Sequence, residues 1–185
     1  MKKYSNKLYC FSPTVMLITF LFEAIAAIVV LIRYKTSRIS RLVVLLLLAL
    51  AGFQLAEFMV CGAFGISGVD WARFGYLSIR LLPPLGLHLA HEIAGVKPGK
   101  LVKTAYITML AFSAYFLFVV GGVFAGENTC RANYSVFNTP NGIATLLFTL
   151  YYYGWMLVAL IFCAQQIQKL SAENSKGIWR LIFSR

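Results

Sequence analysis

Five windows of mostly apolar residues, each roughly 20 residues or longer, recur along this chain of 185 residues. They are residues 12–33, 42–62, 71–94, 104–125 and 143–168. A helix of this length crosses the ~30 Å hydrocarbon core of a bilayer, since each helical residue adds ~1.5 Å. A backbone in lipid must satisfy its own hydrogen bonds, which restricts long apolar spans to helices. The sequence therefore predicts an all-α, polytopic membrane helical bundle with about five transmembrane helices.

The composition agrees with lipid as the main solvent of the chain. Hydrophobic residues make up 60% and charged residues 12%, whereas charged residues are about a quarter of an ordinary soluble domain. The net charge of +11 is spread over short segments between the apolar windows and not over one basic face. We therefore expect membrane lipids, and no nucleic acid, as partners of these segments. The first window is too long for a cleaved secretory signal, so we expect it to be retained.

Lys2, Lys3 and Lys7 before the first window favour the opposite orientation, but more Lys and Arg residues cluster in three segments, which follow the first, third and fifth windows. Under the positive-inside rule these segments lie in the cytoplasm, with the N-terminus outside and the C-terminus inside. The sequence thus predicts a multi-pass protein of a bacterial cytoplasmic (inner) membrane. The residues are Arg33, Lys35, Arg38 and Arg41; Lys97, Lys100 and Lys103; and Lys169, Lys176, Arg180 and Arg185.

The chain divides into a transmembrane domain and a tail. Residues 1–168 form a single transmembrane helical domain, and residues 169–185 form a basic, amphipathic cytoplasmic tail. The tail is too short to span a bilayer, and it places Trp179 and Phe183 among basic residues. We expect it to lie at the membrane interface.

Ionisable residues inside the apolar windows mark a predicted polar centre. Gln54 and Glu57 are three residues apart and share one helix face, while Arg80 lies at a similar depth in the next window, in the outer half of the membrane. One interpretation is a structural ion pair that sets helix register. The other is a site for an anionic head group or substrate, or a proton-linked switch. Glu23, near the middle of the first window, is expected to be protonated or to join the same network.

Two neighbouring features favour a cavity at this centre. The Pro83–Pro84 pair removes two backbone donors within the third window, which predicts a kink and two freed carbonyls. Tyr151, Tyr152, Tyr153 and Trp155 fall near the middle of the last window and not at its ends. We expect some of their polar tips to point inward, lining a pocket, with ordinary aromatic packing as the alternative.

Two further clusters suggest a metal and a disulfide. His88, His91 and Glu92 share one helix face and could together ligate zinc, although a solvated or head-group-contacting helix end explains them as well. Cys10 and Cys130 both fall on the outer side under the predicted topology. There an oxidising environment permits a disulfide, and whether it forms is left open.

The start of the chain resembles a known family. The segments YCFSPTVML and FQLAEF contain Cys10, Phe11, Ser12, Gln54 and Glu57. They resemble a family of small uncharacterised bacterial multi-span membrane proteins with a Cys-Phe-Ser start and a Gln-x-x-Glu in helix two. The resemblance covers about the first third of the chain, and it implies a site at these residues without naming a chemistry.

A second segment resembles a sensor region. WARFGYLSIRLLPPLGLHLAHEIAG looks like the middle of the seven-span N-terminal sensor region of some bacterial histidine kinases. This resemblance implies that a signal would pass through a partner protein.

We expect a non-enzymatic sensor, accessory or small-solute-handling module with a polar pocket in the outer half of the membrane. One alternative is an intramembrane metal-dependent lipid hydrolase or transferase, with Glu57 as general base, Ser12 as a polar or nucleophilic group and zinc at the histidine cluster. The other alternative is a structural subunit of a larger membrane complex. A membrane protein partner or a homo-oligomer is compatible with each of these.

Overall fold

The described residues form six α-helices and one short pair of strands. The helices are α1 (Pro13–Arg33), α2 (Arg38–Gly62), α3 (Gly68–Ile79), α4 (Leu82–Ile93), α5 (Lys100–Ala114) and α6 (Gly142–Phe183). The strands β1 (Thr129–Cys130) and β2 (Ser135–Val136) pair antiparallel. The computed structural model describes residues 13–34, 37–62, 68–115, 118, 129–130, 135–136 and 142–183.

Three of the described helices are long and apolar enough to cross a membrane: Thr14–Arg33, Arg38–Val60 and Thr145–Leu170. These match the first, second and fifth predicted windows, so the helical class is confirmed and a membrane location is supported. The third window is instead divided between α3 and α4, with 12 residues each. In the fourth window α5 has 15 residues and ends at Ala114.

A hairpin of two long helices opens the fold. Ser37 caps α2, because its Oγ accepts the backbone N–H of Ser40 at 3.0 Å. Helix α1 packs against α2, and it buries Met16 and Ala27 while leaving Phe22 72% and Ile32 80% exposed. An outward face of large apolar side chains is unstable in water but suits a helix surrounded by lipid.

Helix α2 packs antiparallel to the α3–α4 pair in one constant register. Arg38 near the start of α2 lies 3.7 Å from Glu92 at the end of α4. Fourteen residues further along α2, a Cβ on Gly52 would meet the Oγ of Ser78 at 2.9 Å, and Ser78 is fourteen residues before Glu92. Glycine at this position therefore permits the close approach of α2 and α3.

Helices α4 and α6 run parallel. The hydroxyl of Tyr151 contacts the backbone of Arg80, and the ring of Phe162 stacks on that of His91. Each helix advances eleven residues, about three turns, between these two contacts. Helix α5 packs against both, since the buried Leu87 lies in one cluster with Val102 and Ala105 of α5.

The turn between α4 and α5 is closed by a glycine. Gly95 has φ of 67°, in the left-handed region where a side chain is disfavoured. Its N–H bonds the carbonyl of Glu92 at 3.2 Å, and the N–H of Val96 bonds that of His91 at 3.0 Å. These two bonds satisfy the last carbonyls of α4 and fix the direction in which the chain enters α5.

Helix α6 continues through the predicted start of the tail. It runs unbroken from Gly142 to Phe183, 42 residues, so residue 168 is not a helix end. The position of residues 169–185 at the membrane interface stays a prediction.

Candidate functional site at the α3–α4 break

The predicted kink at the two prolines is confirmed as a complete helix break. Helix α3 ends at Ile79, and α4 begins at Leu82 with both prolines in its first turn. Proline there is tolerated because the first helical N–H groups have no intrahelical partner. The N–H of Leu81 bonds the carbonyl of Ser78 at 3.2 Å, so the chain turns tightly between the two helices.

A side chain serves the backbone carbonyl that Pro84 leaves unbonded. In a continuous helix the N–H four residues after Arg80 would bond its carbonyl, but that residue is Pro84. The hydroxyl of Tyr151 donates to this carbonyl instead, at 2.8 Å. Tyr151 is buried, and the expectation that tyrosine tips of the last window point inward is confirmed for this residue.

The sequence placed Tyr151 in the mid-span aromatic group but did not assign it to the helix break. The signal that could have found it is the proline itself. Counting four residues back from Pro84 identifies the carbonyl of Arg80 as one that needs an external donor. A mid-span tyrosine on another helix is a suitable donor of that kind.

The Arg80 side chain is a buried cation at this break. It is 2% exposed, and its Nη1 is buried without a hydrogen-bond partner in the part of the chain that the structure describes. The ion pairs between described residues are Arg38–Glu92, Arg73–Asp70 and His88–Glu92, none of which includes Arg80. Burial of a charge without a counter-charge costs several kcal/mol.

The register of α2 places the buried Glu57 away from Arg80. Glu57 is five residues beyond Gly52, which lies opposite Ser78, so it falls level with Arg73. Arg80 is seven residues from that level, or about 10 Å along the helix. Gln54 is half-buried on the same stretch of α2. The predicted meeting of Glu57 with Arg80 therefore gains no support from the register, and Arg73 is the cation at the matching level.

Glu23 lies at the level of Arg80. Val30 of α1 and Val44 of α2 line one cleft, so they lie at a similar level. The two helices are antiparallel, so seven residues back along α1 and seven residues forward along α2 reach another common level, that of Glu23 and Ala51. The α2 register puts Arg80 level with Leu50, beside Ala51. The Oε2 of Glu23 is buried and has no hydrogen-bond partner among the described residues. Glu23 and Arg80 thus lie at one level of the bundle, and none of the ion pairs between described residues joins them.

The other predicted aromatic residues have partners of their own. Tyr152 packs near Phe148 and edge-on against Tyr153. The Nε1 of Trp155 donates to the Oγ1 of Thr108 at 3.0 Å, which joins α6 to α5. These contacts agree with the alternative prediction, in which the residues pack within the bundle and do not line a pocket. Among the mid-span aromatic residues, Tyr151 contacts the break.

The two histidines of the predicted metal cluster have separate partners. The Nδ1 of His88 lies 3.2 Å from the hydroxyl of Tyr106, and its Nε2 lies 3.7 Å from the Oε1 of Glu92. The Nδ1 of His91 lies 2.9 Å from the carbonyl of Leu87. Across the described residues, no group of three or more His, Cys, Asp or Glu side chains is arranged to hold a metal. The zinc site and the hydrolase or transferase alternative stay predictions without geometric support.

The predicted disulfide falls partly outside the described residues, because Cys10 lies there. Cys130 lies in β1, opposite Ser135. The pairing of Cys10 with Cys130 stays a prediction.

Comparison of the chain with protein-family models, with curated proteins and with solved structures gives no match. Both sequence resemblances therefore stay predictions.

Proposed function

We propose that this chain is a multi-pass membrane protein that binds the anionic group of a small solute beside Arg80. The observation that carries the proposal is the buried Nη1 of Arg80, which has no hydrogen-bond partner among the described residues. A buried charge costs stability unless an opposite charge meets it. No ion pair between described residues supplies that charge to Arg80, so we propose that an incoming anion supplies it at the interrupted helix.

The chemistry of arginine narrows the ligand class. A guanidinium is planar and offers parallel N–H donors, which match the paired oxygens of a carboxylate or a phosphate. It is a fixed cation that binds and orients anions and does not transfer protons. We therefore propose binding, as in a sensor or a solute-handling module, in preference to catalysis.

The helix break explains how such a site could exist inside lipid. Non-helical backbone at membrane depth is tolerated where protein or a cavity satisfies it, and Tyr151 supports the proposal by bonding the carbonyl of Arg80 at 2.8 Å. Half-helices that meet at mid-membrane are also how several transporter folds hold charged solutes.

We further propose five crossings, with α3 and α4 together forming the third. The N-terminus would lie outside, the C-terminus in the cytoplasm, and the membrane would be a bacterial inner membrane. The support is the distribution of Lys and Arg, together with the Arg38–Glu92 contact. That contact places the start of α2 and the end of α4 at one end of the bundle.

The binding proposal is tested by thermal unfolding of the full chain in nanodiscs of neutral lipid. The probes are inorganic phosphate and acetate, each titrated against sodium chloride at equal ionic strength. We expect one probe to raise the melting temperature by several degrees, because a ligand that binds only the folded state stabilises it. The Arg80→Gln variant should lose this shift, and Arg80→Lys should keep part of it.

The matched control is Arg73→Gln, which removes the same charge seven residues earlier in the chain, in α3, and should keep the shift. Two results would count against the proposal. One is that neither probe stabilises the wild type, and the other is that the stabilisation persists in Arg80→Gln.

A further inference from the structure

Exposed cations from four helices collect at one end of the bundle. Arg38 at the start of α2 meets Glu92 at the end of α4, and the stacking of Phe162 on His91 carries the basic end of α6 to the same place. Short links bring in the end of α1 and the start of α5. The exposed cations described at this end are Arg33, Arg38, Arg41, Lys97, Lys100, Lys103 and Lys169.

The described part of this end lacks matching negative charge. The first turns of α2 and α5 contain no acidic residue. The backbone dipoles at these helix N-termini add further positive charge. Glu92 is the acid described here. Its side chain is 16% exposed and lies 3.7 Å from both Arg38 and His88. The remaining cations therefore attract anions from outside the chain.

A small cleft between α1 and α2 opens among these cations. Its lining combines aliphatic side chains with one cation and two hydroxyl groups. The lining residues are Val30, Leu31, Tyr34, Ser40, Arg41 and Val44. The Ser40 hydroxyl is already hydrogen-bonded to that of Ser37 at 2.9 Å. The apolar wall next to the cation of Arg41 is complementary to an amphiphile with an anionic head.

We propose that this cleft seats an anionic phospholipid, with an acyl chain along Val30 and the exposed Leu31 and the head-group phosphate at Arg41. Charge complementarity selects the lipid class, because a neutral phospholipid would leave the surrounding cations uncompensated. The proposal rests on the membrane location in the proposed function and is independent of the Arg80 site.

The test reconstitutes the full chain into nanodiscs of phosphatidylcholine with a minor fraction of phosphatidylglycerol. After mild detergent extraction, native mass spectrometry counts the lipids that stay bound. We expect phosphatidylglycerol to be enriched over its share in the disc. Arg41→Gln should reduce this enrichment about fivefold, from the contribution of one surface cation, and Arg41→Lys should retain it.

Lys103→Gln is the matched control, since it removes one exposed cation from the same end but on α5, away from the cleft. Equal retention of both lipids by the wild type would overturn the proposal, as would an equal loss in both Gln variants. Displacement of the retained lipid by inorganic phosphate would overturn it too, by assigning the cleft to a free anion.

The two proposals fail separately. If phosphatidylglycerol is enriched but neither anion probe raises the melting temperature through Arg80, the proposed function alone is refuted. A chain that binds an anion through Arg80 but shows no lipid preference would refute this inference alone.

Discussion

The carbonyl of Arg80 takes a hydrogen bond from a side chain because the backbone donor that would serve it belongs to a proline. Tyr151 supplies the bond at 2.8 Å from another helix. A buried carbonyl without a partner costs about 1–3 kcal/mol. The break is therefore stabilised by α6, and the conformation around Arg80 depends on one hydroxyl group.

Replacing that hydroxyl tests its contribution. We expect Tyr151→Phe to keep the ring packing and to lower the free energy of unfolding by about 1–3 kcal/mol, measured by denaturant unfolding in nanodiscs. Tyr153→Phe is the control, because Tyr153 is 65% exposed and its change should stay within about 0.5 kcal/mol. Equal effects of the two variants would show that the hydrogen bond does not stabilise the break.

Removal of the buried charge of Arg80 is expected to raise the free energy of unfolding, whereas removal of the Tyr151 hydroxyl lowers it. In the absence of a bound anion, Arg80→Met should raise the free energy of unfolding by about 1–4 kcal/mol, because an apolar side chain of similar length avoids desolvation of the cation. Thermal unfolding in neutral nanodiscs without phosphate measures this. A marked destabilisation would instead indicate that a protein anion pairs with Arg80 and that the residue is structural.

At the scale of elements, the packing of α2 on α3 sets which charges can meet. Gly52 lies directly opposite Ser78, and this fixes Glu57 at the level of Arg73. A shift of one helical turn would be needed to bring Glu57 halfway toward Arg80. A Cβ on Gly52 would already meet the Oγ of Ser78 at 2.9 Å and the Cζ of Phe74 at 3.4 Å, so a larger side chain brought to this point by such a shift would push the helices apart.

A pair of double-mutant cycles tests this register. Glu57→Gln combined with Arg73→Gln should show a coupling energy of about 1 kcal/mol or more, and Glu57→Gln combined with Arg80→Gln should be additive within about 0.5 kcal/mol. Denaturant unfolding in nanodiscs gives all four stabilities of each cycle. Coupling to Arg80 in preference to Arg73 would contradict the register.

The helices could be predicted from the sequence, but their register could not. Window length and the position of Pro83–Pro84 determine where spans and breaks occur, and both are local properties. Register depends on which faces meet. The run VVLLLLALA in α2 offers nearly equivalent apolar surfaces all round. The contact at Gly52 therefore has no sequence signal beyond the glycine itself.

The same limit applies to the candidate site. Arg80 could be predicted, because a charge in an apolar window is conspicuous. The hydrogen bond from a tyrosine such as Tyr151 could have been predicted too, because the proline four residues after Arg80 leaves the carbonyl of Arg80 without its backbone donor. Glu57 was predicted from its depth alone to meet Arg80, and a count of residues from each window's end does not detect ~10 Å of sliding between helices. The register favours the level of Arg73 for Glu57, and its meeting with Arg80 stays a prediction.

For the whole molecule, the convergence of basic helix ends predicts one cytoplasmic face. Single cysteines at Ser37 and Ser135, in a chain whose four native cysteines are replaced by serine, test this in spheroplasts. We expect an impermeant maleimide to label the Ser135 position in intact cells, and the Ser37 position only after the membrane is opened. The reverse pattern would invert the topology, and labelling of both positions in intact cells would exclude the proposed three crossings between them, because an odd number of crossings puts the two positions on opposite sides.

Helix α6 touches Arg80 near one end and continues, unbroken, to Phe183. From Tyr151 to that end it measures about 48 Å, so a tilt of about 5° pivoting at Tyr151 would swing the far end by about 4 Å. A shift of the backbone at the break of that size would thus displace the C-terminal end of this rod by more than the length of a hydrogen bond.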